Sequence, residues 1–355
     1  MRVTLNEQML DVVDFFKDMG KVYFVGGCVR DLIMGVEPHD YDLTTAVIPS
    51  DIETYIKWKG RRPYLTGKRF GTIAVKINGI LIEVTTFRKE IYDFKTRNPC
   101  VEYSHHLQED LQRRDFTINS LVCDSKGTIK DYFDGGNHIQ AKHLCAVGNP
   151  KLRFKEDPLR ILRGIRFIGK YNLTLDKKTA EKMNHCRWEL LRISKERIID
   201  EINKMFKLSP DKMLHCMVYM FDIGIFQIIM PSLHLQLDFD QKNRYHYYRL
   251  HEHTLSVMWE VSKGIKDIES KQLWAALLHD VAKPYTQTEH KSGTYCNYIS
   301  HDILGAEIAE QWLRAYKFSN VDREFIVDSI TNHLSEDCWL RKYDNLGKHN
   351  EEVQN

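Results

Sequence analysis

Two aspartates lie two residues apart in the segment HDYDL, and their spacing predicts a site for divalent cations. In a β-strand, residues i and i+2 point to the same face, so the carboxylates of Asp40 and Asp42 would lie side by side. Such carboxylates repel each other unless a cation lies between them, and their oxygen atoms suit Mg²⁺. Glu83, in the apolar segment ILIEVTTF, is the candidate for a third carboxylate. The alternative interpretation of the pair is a polar strand end.

A cation site of this kind would suit phosphoryl transfer. Two Mg²⁺ ions about 3.5–4 Å apart can hold the attacking and leaving oxygen atoms of the reaction. Two glycines, Gly26 and Gly27, precede the aspartates and separate the predicted strand KVYFV from a short helix that carries Arg30. Backbone N–H groups at a helix start bind phosphate, and arginine adds a bidentate donor. Glycine pairs are common in loops, but this combination with a carboxylate pair is much rarer.

The elements that must position these residues predict an α+β segment followed by helices. Residues 6–19 have the period of an amphipathic helix, which Gly20 ends. The segment GTIAVKINGILIEVTTF predicts a hairpin around Asn78-Gly79, and YDLTT predicts another strand. From about Lys155 onward the strand patterns largely end, and the segments have helical periods.

The segment GGCVRDLIMGVEPHDYDLTT resembles the nucleotidyltransferase signature of the tRNA CCA-adding enzyme and poly(A) polymerase family, the class II branch of the polymerase-β superfamily. It differs from the usual pattern at Cys28, where a small residue such as alanine is common. The resemblance implies that Asp40 and Asp42 bind two catalytic Mg²⁺ ions. It also implies that Gly27 and Arg30 hold the incoming triphosphate.

A second segment, EDLQRRDFTINSL, is similar to another motif of that family. In this comparison Arg113 and Arg114 would bond to phosphate or sugar, Asp115 would position an arginine, and Asn119 would hold the ribose. Without the resemblance, the segment would be read as a helix end with surface arginines that leads into a strand. Between the two motifs, RKEIYDFKTRNP resembles the mobile loop of the family.

The segment KEDPLRILRGIRF combines a helix start with a basic stripe. Asp157 suits the N-cap and Pro158 the first helical turn. Arg160, Arg163 and Arg166 recur every three residues, so they form a stripe that drifts slowly around the helix. A cap and a solvated face would explain these residues without any further function.

The same residues could select nucleotides. Cytosine and adenine both present an amino donor beside a ring-nitrogen acceptor, whereas guanine and uracil present a carbonyl beside an N–H. A carboxylate accepts and a guanidinium donates, so an Asp–Arg pair suits C and A. Each unpaired polar group with G or U would cost about 1–3 kcal/mol. EDPLR resembles the nucleotide-selecting motif of the family, which implies that Asp157 and Arg160 replace a template. Arg163 and Arg166 would hold phosphate or stack near the base.

The last third of the chain is rich in histidine, in the segments LHEHTL, LLHDVAKP and YISHDILG. Neighbouring His and Asp side chains on helices can bind a metal. The spacing resembles an HD-type phosphohydrolase domain, as found in some bacterial CCA-adding enzymes. This resemblance implies a second divalent metal with four ligands: His253, His279, Asp280 and His301. Ala282 replaces the usual glycine of HDxGK, and Asp328 and Asp337 are guesses for the completing aspartate. The alternative is a helical module that grips the tRNA body.

The composition is that of an ordinary globular protein, with 355 residues, 43% apolar and 28% charged. Because the net charge is only +2, contacts with nucleic acid must come from local basic patches. Eight cysteines without a CxxC pair favour reduced thiols and exclude a zinc ribbon. The first twenty residues do not read as a signal peptide, and no apolar run approaches the roughly 20 residues of a membrane span. We therefore expect a cytoplasmic protein that does not bind membranes.

Together these patterns and resemblances predict an α+β nucleotidyltransferase head with a mixed sheet, followed by an all-α neck, body and HD-type helical region. We expect a catalytic domain at 1–140, a nucleotide-selecting and RNA-binding domain at 141–240, an HD-type domain at 241–340 and a tail at 341–355. The expected reaction adds CMP and AMP from CTP and ATP to the 3′ end of tRNA, with Mg²⁺, by a monomer or dimer. The alternatives are a poly(A) polymerase or A-adding enzyme, an HD-domain phosphohydrolase that acts on RNA ends, and a non-catalytic RNA-binding module.

Overall fold

The computed structural model describes residues 1–91, 100–242 and 248–346. Most of the segment that resembles a mobile loop, and most of the predicted tail, lie outside these residues. The chain forms two compact units, which are described separately below. The first unit contains residues 1–160 and 173–183, and the second contains residues 161–172 and the chain from 184 onward.

A mixed sheet of seven strands forms the centre of the first unit, in the order β3-β4-β5-β2-β1-β8-β9. The pair β2 and β5 is parallel, and the other neighbouring pairs are antiparallel. The strands of the chain are β1 (Val22–Val25), β2 (Tyr41–Thr45), β3 (Pro63–Tyr64), β4 (Thr72–Ile77), β5 (Ile80–Thr86), β6 (Arg88–Ile91), β7 (Cys100–Tyr103), β8 (Leu121–Cys123), β9 (Ile129–Asp131), β10 (His143–Leu144), β11 (Thr174–Leu175), β12 (Gln287–Glu289) and β13 (Cys296–Tyr298).

Helices precede and interrupt this sheet, and they make up most of the chain after it. The helices are α1 (Glu7–Phe16), α2 (Gly27–Ile33), α3 (Pro49–Trp58), α4 (Leu107–Gln112), α5 (Gly135–Gln140), α6 (Pro150–Glu156), α7 (Leu159–Tyr171), α8 (Lys177–Cys186), α9 (Lys195–Phe206), α10 (Pro210–Asp222), α11 (Ile225–Ile229), α12 (Pro231–His234), α13 (Leu250–Gly264), α14 (Ser270–Leu278), α15 (Lys283–Thr286), α16 (His301–Ala315), α17 (Asn320–Asn332) and α18 (Trp339–Leu346). The predicted fold class, an α+β head followed by a helical region, is confirmed.

Local sequence accounts for the elements nearest the candidate site. Asn6 caps α1, because its Oδ1 accepts the backbone N–H of Met9 at 2.9 Å. The predicted hairpin joins β4 to β5, with Asn78 at φ 47° and Gly79 at φ 89°. Positive φ at both turn residues is the geometry of a type I′ turn, which matches the right-handed twist of the strands.

The second unit is built from packed helices and one short hairpin, β12–β13, that the sequence patterns did not predict. Trp274 is buried at its centre, with ring centroids 5.0 Å from Phe206, 5.3 Å from Trp312 and 5.5 Å from Phe318. Within the three described ranges of the chain, no helix is both long and apolar enough to cross a bilayer.

Candidate functional site

The carboxylates predicted to bind metal lie on neighbouring strands of the first unit. Asp42 is the second residue of β2, and Asp40 directly precedes the strand rather than lying within it. The partner strand β1 ends at Val25, opposite Asp42, so the pairing on that side stops there. On the other side, Asp42 is in register with Glu83 of the parallel strand β5. Residues in register on paired strands point to the same face, so these two exposed carboxylates lie beside each other.

The charges around Asp42 identify it as a place where a cation would be stabilised. Partial removal from water raises the pKa of the Asp42 carboxyl; Arg114 lowers it, and the negative charges of Glu83 and Asp40 raise it. Concentrated negative charge of this kind is relieved by a divalent cation.

The spacing of these carboxylates bears on how an ion could bind. In the part of the chain that the structure describes, Asp40, Asp42 and Glu83 are not a group whose oxygen atoms all lie within 4.8 Å of one another. They therefore do not form a closed cage made of protein ligands. Mg²⁺ commonly binds through one or two carboxylates and completes its coordination with water and substrate phosphates. The donor set of exposed carboxylate oxygens fits that mode of binding.

The glycine turn lies against the same place. Gly26 has φ 76°, in the region where the backbone of any residue other than glycine is strained. A Cβ atom built there would lie 3.3 Å from Nη1 of Arg114 and 3.9 Å from Oδ2 of Asp42. The turn, a guanidinium and a carboxylate therefore lie close together. The guanidinium is that of Arg114, whereas the sequence pattern offered Arg30 as the donor beside the glycines.

Arg30 is almost completely buried, and its Nη2 lies 3.4 Å from the place of a Cβ at Gly27. It donates from Nε to Oδ1 of Asp31 at 2.9 Å and from Nη1 to Oδ1 of Asn119 at 2.5 Å. The amide of Asn119 in turn donates to Oδ1 of Asp115 at 3.0 Å. The side chains expected to hold triphosphate and ribose are therefore linked to one another by hydrogen bonds.

The paired arginines of the second motif meet a buried acid that the sequence analysis did not single out. Asp110 accepts both Nε and Nη2 of Arg113, at 3.0 and 2.8 Å, and Nη2 of Arg114, at 3.4 Å. Burial alone would raise the pKa of Asp110, but the charges of Arg114 and Arg113 outweigh it and lower the pKa. A signal was present, since Asp110 precedes the two arginines by three and four residues in EDLQRR, the spacing of neighbours on a helix.

The predicted nucleotide-selecting residues occupy the junction of α6 and α7. Asp157 caps α7, because its Oδ1 accepts the backbone N–H of Leu159 at 3.2 Å. Arg160 is buried and donates to Oε2 of Glu156 at 3.0 Å and to the backbone carbonyl of Arg113 at 2.8 Å. The carbonyl of Arg113 thus connects this junction to the arginine segment of the second motif.

The remaining arginines of the stripe lie in the second unit. Arg166 donates to the buried carboxylate of Glu201 at 2.5 Å. The guanidinium carbons of Arg163 and Arg166 lie 5.7 and 4.7 Å from the centroid of the Phe167 ring. Both are half-buried cations that lie over one aromatic face.

Four histidines of the second unit lie close together around Asp280. His253, His279, Asp280 and Asp344 form one buried group that could hold a metal ion, and Asp280, His301 and His333 form another. Oδ2 of Asp280 lies 3.4 Å from Nε2 of His253 and 3.1 Å from Nε2 of His279. Oδ1 of the same carboxylate lies 3.3 Å from Nε2 of His301 and 3.7 Å from Nε2 of His333.

The completing aspartate of this site was guessed wrongly. Asp328 and Asp337 are exposed and are not members of either group. Asp344, on α18, takes that place, with Oδ1 3.0 Å from Nε2 of His253. Sequence spacing could not identify it, because its position depends on how α18 packs against α13. His333, at the end of α17, is the other member that was not predicted as a ligand.

Buried polar atoms show that this cluster suits a cation. Both carboxylate oxygens of Asp280 are buried, and Oδ2 lies 2.6 Å from Nζ of Lys283, so an ammonium group already pairs with this carboxylate beside the histidines. Burial alone would lower the pKa of His279, but the negative charges of Asp280 and Asp344 outweigh it and raise the pKa to about 10. Burial lowers the pKa of His333 to about 4, which keeps that imidazole neutral and able to bind metal. The nitrogen and oxygen donors fit a divalent transition metal.

Comparisons with known proteins place the chain in a family. Models of three families match: "Poly A polymerase head domain" at residues 22–145, "Probable RNA and SrmB-binding site of polymerase A" at 172–237, and "HD domain" at 250–345. The CCA-adding enzyme of Lactococcus lactis subsp. cremoris (strain MG1363) is 31% identical over 322 residues, which cover 87% of this chain and 73% of that protein. The chain therefore belongs to the CCA-adding enzyme family, and the resemblance stated from its motifs is confirmed.

Other relatives match over a shorter part of their length. The CCA-adding enzyme of Staphylococcus haemolyticus (strain JCSC1435) is 43% identical over 188 residues, 53% of this chain and 46% of that enzyme. The match thus spans about half the length of this relative. The crystal structure of the Bacillus stearothermophilus CCA-adding enzyme in complex with CTP aligns with a TM-score of 0.57 and 23% identity, and the alignment covers 95% of this chain and 80% of that one. At this identity the structural likeness concerns the fold.

Proposed function

We propose that the protein adds CMP and AMP from CTP and ATP to the 3′ end of tRNA without a nucleic-acid template, and that pyrophosphate is released. The observation that carries the proposal is the meeting of Asp42, Glu83, Arg114 and the Gly26 turn at one point of the sheet. Relatives named CCA-adding enzyme, and a structure of such an enzyme with CTP, support the choice of substrates. The catalytic domain would be 1–140 and the nucleotide-selecting domain 141–240.

In this proposal each residue of the first unit has a distinct task. Asp40 and Asp42, with Glu83 beside them, would hold two Mg²⁺ ions together with phosphate oxygens of the nucleotide. Bound Mg²⁺ would activate the 3′-hydroxyl and stabilise the charge of the leaving pyrophosphate. Arg114 would donate to the triphosphate at the glycine turn, and Gly27, with Arg30 against it, would hold the same group, as the resemblance implies.

The choice of C and A would depend on Asp157 and Arg160, with Asn119 near the ribose. Asp157 is half-buried and Arg160 is buried, so an unpaired group on a wrong base would be costly there. Arg163 and Arg166 would hold phosphate or stack near the base. Seven of the eight cysteines have free thiols in the structure, in agreement with a reducing compartment, and we propose the cytoplasm.

Primer extension tests this function. The protein is incubated with tRNA that lacks its last three nucleotides, with Mg²⁺ and with labelled CTP, ATP, GTP or UTP. CMP incorporation, followed by AMP when both nucleotides are present, would support CCA addition. Long AMP tracts without CMP would support a poly(A) or A-adding enzyme. No Mg²⁺-dependent product, despite tRNA binding, would contradict the proposal and favour an RNA-binding module.

A second candidate function, metal-dependent phosphohydrolysis, is favoured by the buried cluster of the second unit. His253, His279, Asp280 and His301, joined by Asp344 and His333, would hold divalent metal, with Asp280 shared by both groups. Its test is metal content after equilibration with Mn²⁺, with Asp280→Asn as the comparison, together with release of phosphate from aryl phosphate esters. Binding without hydrolysis would assign the metal a structural role in the helical module.

A further inference from the structure

Asp110 is a fully buried carboxylate in α4 that has no task in the proposed function so far. Its Oδ1 accepts two hydrogen bonds from Arg113, at 3.0 and 2.8 Å. Its Oδ2 accepts Nη2 of Arg114 at 3.4 Å and the hydroxyl of Thr44 at 3.1 Å, and that hydroxyl also lies 3.2 Å from the backbone carbonyl of Thr85. A buried carboxylate stays ionised where donors of this kind replace water. Asp110 is therefore the negative charge about which two arginines are arranged.

Thr44 fixes this charge relative to the metal-binding carboxylates. Thr44 and Asp42 both lie on β2, two residues apart, so their side chains share one face of the sheet. The bond from Thr44 to Asp110 thus connects α4 to the strand of Asp42. The position of the Asp110 carboxylate on α4 is therefore tied to the position of Asp42 in the candidate site.

One nitrogen of the Arg114 guanidinium donates to Asp110, and other nitrogens of the group are available to donate to a ligand. Nη2 donates a hydrogen bond to Asp110. Nη1 lies 3.3 Å from the position that a Cβ atom would occupy at Gly26. Among the described residues, the buried Nε of Arg114 has no hydrogen-bond partner. A buried donor without a partner is costly, and an anion at the glycine turn would relieve that cost.

We propose that Asp110 is a positioning residue for nucleotide binding, which holds Arg114 at the Gly26 turn so that its guanidinium meets the triphosphate. This inference rests on the proposed function, because the triphosphate is that of its substrate. The charge of Arg114 also interacts with that of Asp42. Without Asp110, the guanidinium would be drawn toward Asp42 and would leave the position that the triphosphate needs.

A double-mutant cycle on CTP binding tests this positioning role. The dissociation constant for CTP is measured by titration calorimetry in chelator, without metal, for the wild type, Asp110→Asn, Arg114→Met and the double variant. Each single change should weaken binding roughly tenfold, the loss expected for a hydrogen bond to a charged group. The double variant should bind no more weakly than Arg114→Met, because Asp110 acts through Arg114. Losses for ATP should equal those for CTP, since the triphosphate is common to both.

Two results would overturn the inference: unchanged CTP binding by Asp110→Asn, or losses that add in the double variant. If Asp110→Asn does not fold, Thr44→Val serves instead, because it removes one bond to Asp110. That variant should weaken CTP binding only where Arg114 is present, and any other dependence contradicts the inference. Thr45→Val is the matched control, since the hydroxyl of Thr45 donates to the carbonyl of Lys21 on the other side of β2.

The same variants separate this inference from the proposed function. If Asp42→Asn still extends tRNA, the proposed function fails whatever the cycle shows. If Asp42→Asn is inactive and the cycle is additive, the positioning role of Asp110 alone is wrong.

Discussion

Asp42 and Glu83 occupy the same level of the parallel strands β2 and β5, so two carboxylates from distant parts of the sequence lie side by side. A pair of like charges on an exposed sheet face costs stability unless a cation is shared between them. The Gly26 turn lies close to Asp42, and Arg114 supplies positive charge there. We propose that this arrangement holds a nucleoside triphosphate through metal ions.

Loss of the negative charge of Asp42 or Glu83 should slow nucleotide transfer. Asp42→Asn and Glu83→Gln keep the shape of the side chain but lose its charge. Metal-assisted charge stabilisation supplies several kcal/mol, so Asp42→Asn should lower kcat roughly a hundredfold to a thousandfold. Glu83→Gln should have a smaller effect in the same direction. Single-turnover CMP incorporation gives the rates, and Asp51→Asn on α3 is the control for loss of an acidic residue. Equal rates for Asp42→Asn and the control would contradict the metal-binding role.

Replacement of Asp157 should weaken base selection more than catalysis. Asp157→Ala removes the acceptor proposed for the amino group of C and A, so the preference for CTP over UTP should fall by roughly tenfold or more. It also removes a helix cap, at a cost of about 1 kcal/mol in unfolding free energy.

Asp176→Ala is a matched control for Asp157→Ala, because Asp176 caps α8 through the backbone N–H of Thr179 at 3.0 Å. It should lose similar stability and keep its nucleotide preference. Competition between CTP and UTP measures the preference, and urea denaturation measures the stability. A uniform loss with all four nucleotides in Asp157→Ala would argue against selection by this residue.

The metal-free protein should lose stability as the pH rises above neutrality. His279 has a pKa of about 10 in the folded chain, above its ordinary value of 6.5. The stability that protonated His279 gives the folded state is complete at pH values below the pKa of this residue in the unfolded chain. It is lost as the pH rises through the pKa in the folded chain. The free energy of unfolding should therefore fall by up to about 1.4 kcal/mol per pH unit in this window.

Urea denaturation in chelator at about pH 7, 8 and 9 measures this slope. His279→Gln should flatten it, and saturating Mn²⁺ should reduce it because metal replaces the proton. A wild-type slope that persists in His279→Gln would assign the titration to another group.

Two helical glycines of the second unit should respond in opposite ways to alanine. A Cβ at Gly169 would meet Sγ of Cys216 and would lie 2.6 Å from the carbonyl oxygen of Lys212. A Cβ at Gly305 would have its nearest neighbour, Cγ2 of Ile330, at 3.5 Å, an ordinary contact. Gly169→Ala should destabilise by about 1–3 kcal/mol, and Gly305→Ala should stabilise by about 0.5–1 kcal/mol. Thermal melting measures both, and a stable Gly169→Ala would contradict the close packing of α7 on α10.

The head could be predicted because its signals are local. Alternating apolar residues, the Asn78-Gly79 turn and the spacing of Asp40 and Asp42 are read within a few residues. The register that brings Glu83 to Asp42 was a hypothesis, since strand pairing depends on the whole sheet. Asp110 was overlooked because its role appears only when Thr44 and both arginines surround it. Asp344 was missed for a similar reason, since nothing near it in the chain distinguishes it from Asp328 and Asp337.

Anomalous diffraction from crystals soaked with Mn²⁺ and CTP tests the central claim most directly, because it locates the metal independently of activity. The account predicts Mn²⁺ peaks between the carboxylates of Asp40 and Asp42 and the phosphates of CTP, with Arg114 on the triphosphate. Bound CTP with no anomalous peak at Asp42, in crystals whose histidine cluster does show Mn²⁺, would contradict it.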